Sequence, residues 1–326
     1  MMAHRQEVLN CLDTFLSAKC RAPRIDTDGP VLLRDIVLKF EERANKEVKR
    51  QLQSVPAHRR RSVNIFFNED ESYGAFAVHD RYDYIVLHIG VLRILDFFDR
   101  MMENPALWTN VAKSEPNDRI RLAFAVVFMN ECFDIIVRHE FAHLIFGHCK
   151  FRARGIDGLA AQALEVAADG YAVNWGVQRL GQFPKILGLR TNAVAQAYRA
   201  FHRTSDEAMR NYLLAIYFVF RLMDETTWIN GTLASRAHPP APIRFQVACL
   251  YAHEYLEQIG DADGQARLTR AMQEIWELGE FIFAATLDKT PDFKAKQQVM
   301  EIESERHFEL VRERAKDLPP SLFGLS

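Results

Sequence analysis

The sequence predicts an α+β fold, mainly helical, with one small antiparallel sheet. Three observations lead there. Between residues 62 and 88 lie three short β-branched or aromatic runs, SVNIFF, GAFAV and DYIVLHI, set apart by polar stretches such as NEDES and HDR. Such runs read as strands joined by turns. After Gly90 the periodicity becomes helical and mostly stays so, and the first 61 residues read as two helices, the second over 32–53.

Helices are expected at 90–103, 116–147, 158–180, 191–203, 206–229, 241–259, 264–287 and 292–316. Pro116 suits a first helical turn and Gly147 a helix end. Asp157 and Ser205 are candidate N-caps, and Gly181 follows the last periodic residue of its helix. The segment 231–242, GTLASRAHPPAP, breaks the pattern because adjacent prolines cannot continue a helix. The aromatic stretch from Tyr212 to Phe220 reads as a core helix, and His58 to Arg61 as a solvated basic loop.

Composition narrows the function. The 326 residues are 48% hydrophobic, ample for a sizeable core. With 41 basic and 43 acidic residues the net charge is -2, so no broadly basic surface for nucleic acid is expected. Cys11, Cys20, Cys132, Cys149 and Cys249 form no CxxC pair, as expected of reduced thiols in a cytoplasmic protein. The N-terminus has scattered charges and no apolar signal core. The longest apolar run is far below the ~20 residues of a membrane span.

The chemistry concentrates at His139-Glu140-Phe141-Ala142-His143. Histidines four apart differ by about 40° around a helix, so both imidazoles leave one face and can grip one ion. Glu140 lies beside them, where a base for a metal-activated water is needed. His148 lies about 180° from His139 on a continuing helix, which excludes it as a ligand there and leaves it to the core or the helix end. On the next predicted helix, Glu165 and Asp169 share a face of an otherwise uncharged alanine-rich stretch. A carboxylate completes a two-His, one-Glu site with a position left for water. Asp169 is then placed to accept the second N–H of a ligand histidine. The plainer alternatives are incidental histidines on an amphipathic helix and two exposed acids.

With these motifs the chain resembles the gluzincin zinc metallopeptidases. It looks closest to soluble relatives of the CAAX-prenyl endopeptidase and HtpX-like branch. Four segments agree in order: GAFAVHDRYDYIVLHIGVLRIL, HEFAHLIFGH, EVAADGYA and HPPAPIR. The resemblance implies a zincin-like catalytic domain over 62–260. A helical extension over 1–61 and a second over 261–326 lie outside it and, with no signal of a second chemistry, are expected to pack on the same body. It implies that His139, His143 and Glu165 bind one zinc ion, with Glu140 as catalytic base and Asp169 orienting a ligand histidine. His238 would stabilise the oxyanion and Arg244 would anchor its loop. Gly74, Ala75, Phe76 and Ala77 would form the substrate-binding edge strand, although Gly74 stands where that family usually has asparagine. The family's membrane spans are absent from this sequence. A weaker resemblance is to the soluble phage-exclusion Lit-type peptidases, which cleave a translation factor.

The expected function is zinc-dependent endopeptidase activity on a protein or peptide substrate, with an activating partner or a gated cleft as restraint. The rival from another class is a catalytically silent zinc module that staples helices. Glu140 speaks against it, since a structural site needs no base.

Overall fold

A computed structural model describes residues 2–19, 21–25, 31–104, 118–180, 193–223, 238–239, 241–287, 306–319 and 321. Cys20, Pro116, Gly181, most of the 231–242 break and the terminal 322–326 lie outside them. In chain order the elements are α1 (Met2–Ala18), α2 (Val31–Leu52), β1 (Val63–Asn68), β2 (Ala75–His79), β3 (Asp83–His88), α3 (Arg93–Glu103) and α4 (Asp118–Ile145). There follow α5 (His148–Arg152), α6 (Gly158–Leu180), α7 (Ala193–Phe201), α8 (Ser205–Met223), α9 (Ala241–Gln258), α10 (Ala262–Thr286) and a helix over 306–316. The α+β class and the predominance of helix agree with the sequence.

Two compact units divide the chain. One comprises Met1–Arg93, Ile136–Ile156 and Pro319–Ser326; the other comprises Ile94–Ile135 and Asp157–Leu318.

In the first unit the strand order is β1-β3-β2. β2 pairs antiparallel with β3, Ala75 opposite Leu87, while β1 runs parallel to β3, Val63 opposite Asp83. The sheet is therefore mixed, which corrects the antiparallel expectation. A tight turn, with Asp80 N–H donating to Tyr82 O at 3.1 Å, makes β2 and β3 a hairpin. The 69–74 segment instead carries the chain past the place that β3 later fills. Three runs with short turns look like a meander in sequence, because strand order is a non-local choice. Central β3 is buried throughout, which explains its apolar run from Tyr84 to Leu87.

Gly90 is required by a close approach. Its N–H donates to Asp70 O at 3.0 Å, and a Cβ there would lie 2.2 Å from the carbonyl oxygens of Glu71 and Ser72. α1 closes one face of the sheet, with Leu12 and Leu16 packed among Val78, Tyr84 and Val86. α2 buries the stripe Val37, Phe40, Ala44 and Val48 at helical spacing. It also carries Glu47, whose carboxylate accepts from Arg138 Nε at 2.8 Å and from Arg50 Nη1 at 2.6 Å. Arg138 and Glu47 are both buried, so this pair braces the end of α4 against α2.

In the second unit α8 is buried along most of its length, as its aromatic stretch predicts. Phe97 and Phe218 meet at 5.0 Å between ring centroids, as do Phe98 and Phe128. Buried charge is matched: Glu280 of α10 accepts from Tyr217 Oη at 2.5 Å and from Arg221 Nε at 3.0 Å. Asp157 caps α6 as expected, accepting from Ala160 N–H at 2.7 Å. The cap of α8 is Thr204 rather than Ser205, since Thr204 Oγ1 accepts from Glu207 N–H at 3.1 Å. A serine one residue on sits inside the first turn, where its hydroxyl cannot reach the same amide. Among the described residues, no helix is long and apolar enough to cross a membrane.

Candidate metal centre

The HExxH motif occupies the last turns of α4, in the first unit. His139, Glu140 and His143 are buried, and Phe141 and Ala142 are fully so. The Nε2 atoms of His139 and His143 lie 3.0 Å apart, with the rings near perpendicular at 83°. Two imidazole ligands at ~2.0–2.1 Å from one tetrahedral zinc would have nitrogens about 3.3 Å apart. The two rings thus converge as a chelating pair does.

α4 ends at Gly147, whose φ of 78° is the left-handed conformation of a helix stop. That stop turns the chain and brings His148 back: its Nδ1 lies 2.7 Å from Nδ1 of His143. Cys149 follows, with Sγ donating to Ala77 O at 3.6 Å. Burial, and next the Glu140 charge, pushes its pKa up to about 12, so the thiol stays protonated.

β2 lies at the edge of the sheet, with Gly74 just before it and Ala75, Phe76 and Ala77 within it. His88 N–H donates to Gly74 O at 3.0 Å. Antiparallel pairing alternates, so Phe76 and Val78 also face β3, while Ala75 and Ala77 turn their backbone groups outward. Of those outward groups, the Ala77 carbonyl takes the Cys149 thiol.

Sequence reasoning passed over His88, which ends β3. Its Nδ1 lies 2.9 Å from Ser72 Oγ, which itself donates to Asp70 Oδ1 at 2.6 Å. Its Nε2 is buried without a hydrogen-bond partner among the described residues. Burial pushes its pKa down, against the raising influence of Asp70 and Glu140. A Cβ on residue 74 would stand 3.3 Å from His88 Nδ1, so Gly74 leaves room for this ring. The available signal was a histidine closing the buried apolar run from Tyr84 to Leu87.

In the second unit, Glu165 and Asp169 lie on α6 and are each about 1% exposed. Arg244 of α9 forks onto Asp169, donating from Nε to Oδ2 at 2.8 Å and from Nη2 to Oδ1 at 2.7 Å. Its guanidinium also lies over the Phe220 ring, 4.4 Å from the centroid. His238, largely exposed, sets Nδ1 2.9 Å from Glu165 Oε2. The two acids, Arg244 and His238 are thus drawn into pairs, Arg244 with Asp169 and His238 with Glu165.

Buried His139 and His143 of the first unit each offer a ring nitrogen, and buried Glu165 of the second offers a carboxylate oxygen. Two neutral imidazoles and one carboxylate make a hard-to-borderline donor set suited to zinc with an open position. No protein-family model matches the chain, and no curated protein or solved structure matches it.

Proposed function

We propose that this protein is a zinc-dependent endopeptidase, with His139, His143 and Glu165 holding one zinc ion. The observation that carries the reading is the convergence of His139 and His143 Nε2 at 3.0 Å with Glu140 between them in sequence. A zinc ion there supplies Lewis acidity toward a water and a peptide carbonyl.

The chain's own residues divide the remaining work. Glu140 takes the proton of the attacking water and passes it to the leaving amine. His238, exposed and free to approach substrate from its contact with Glu165, donates to the developing oxyanion; one such donor is worth about 3–4 kcal/mol. Arg244 holds Asp169 by two charge-assisted hydrogen bonds and so steadies the helix that carries Glu165. The outward backbone groups of Ala75 and the outward N–H of Ala77 would add an extended substrate as a further strand, which favours a peptide over a small molecule. Acting in the cytoplasm, such an enzyme would be held in restraint by a partner or a gated cleft.

The test is a comparison of protein termini in cells expressing wild type or Glu140→Gln. New termini should accumulate only with wild type, while both proteins retain zinc. Identical termini, with zinc bound in both, would leave a metal-stapled module in place of an enzyme.

A further inference from the structure

The Nδ1 atoms of His143 and His148 lie 2.7 Å apart, and both rings are buried. Two ring nitrogens at this distance share a single hydrogen, so one donates and the other accepts. If Nε2 of His143 faces a metal with its lone pair, the ring proton of His143 must sit on Nδ1. Nδ1 of His148 is then the acceptor, and the proton of His148 must sit on its Nε2. The geometry thus specifies both tautomers once the first ligand atom is assigned.

The helix stop makes this arrangement. Gly147 adopts φ 78°, α5 starts at once, and Phe146 packs its ring 5.6 Å from that of His148. Had α4 continued, His148 would point to the opposite side from His139.

We propose that His148 is a positioning residue of the zinc site: it accepts the Nδ1–H of His143, fixes that ring's tautomer and plane, and thereby sets zinc affinity. This rests on the metal-binding part of the endopeptidase reading. Partners of this kind typically change metal affinity by about 10–100-fold.

The experiment measures zinc affinity by competition with a chromophoric chelator, for wild type, His148→Asn and His148→Leu. Asparagine places an oxygen acceptor near the position of Nδ1, whereas leucine fills the space without one. His148→Leu should bind zinc about 10–100-fold more weakly, and His148→Asn should recover most of that loss. Equal affinity of wild type and His148→Leu overturns the proposal. So does an asparagine variant as weak as the leucine variant, which would mean that ring shape and not the acceptor matters. In both cases wild type still binds zinc, and the endopeptidase reading stands. If wild type itself binds none, that reading falls and this one with it. A check independent of variants is long-range proton–nitrogen correlation NMR of zinc-loaded wild type. It should find His143 protonated on Nδ1 and His148 on Nε2; a proton on Nδ1 of His148 overturns the assignment.

Discussion

The end of α4 and the middle of α6 present the same kind of chemistry, built in opposite ways. At the end of α4, His139, His143 and His148 meet through offsets of four and five residues within one stretch of chain. On α6, Glu165 and Asp169 are matched by His238 and Arg244, which arrive from more than seventy residues away. The first arrangement follows from helix geometry and one glycine. The second depends on where a distant helix packs. Local construction is robust to the rest of the fold, and distant construction ties the acid pair to the integrity of the second unit.

Substitutions can break each side of this contrast. The largest effect is expected at the buried ion pairs. Glu47→Ala leaves the Arg138 guanidinium buried without its carboxylate and should cost about 3–5 kcal/mol in chemical unfolding. Arg244→Ala does the same to Asp169 and should cost a similar ~3–5 kcal/mol. The two should differ in one respect: Arg244→Lys keeps the charge but loses the fork, and should restore only part of the stability. Full restoration by lysine would show that geometry at Asp169 is unimportant.

An effect of comparable size, spread over several pH units, is expected from acid. Burial, and next Arg179, lowers the pKa of His202 to about 3. Its unfolded value lies near 6.5. Because the folded pKa is depressed, this group's contribution is fully present above pH ~6.5 and is lost as pH falls from there towards about 3. Over that window stability should drop by up to about 1.4 kcal/mol per pH unit from this group, and His202→Phe should flatten the slope. An unchanged slope would place the acid sensitivity elsewhere. The smallest effect is the α8 cap: Thr204→Ala should cost about 1 kcal/mol, and Ser205→Ala much less.

What the sequence disclosed follows the same division. The convergence of His139 and His143 was legible because four residues are one helical turn. The buried stripe of α2 and the buried α8 were legible for the same reason, periodicity. The parallel pairing of β1 with β3 was not, since it depends on the path of 69–74 rather than on any strand's composition. His148 was set aside as lying on the wrong side of the helix, a conclusion valid only if the helix continued past Gly147. The partnership of Arg244 with Asp169 was also hidden. Both residues were singled out, but no spacing connects charges on two helices that separate chain segments bring together. His88 went unremarked because one polar residue at a strand end carries no period.

The central claim is that His139, His143 and Glu165 bind one zinc ion, and metal titration tests it most directly. The purified full chain should take up one zinc per molecule. His143→Ala and Glu165→Ala should each abolish or sharply weaken that uptake, while Glu140→Gln should keep it. Substoichiometric zinc in wild type, or unchanged uptake by His143→Ala, would contradict the account.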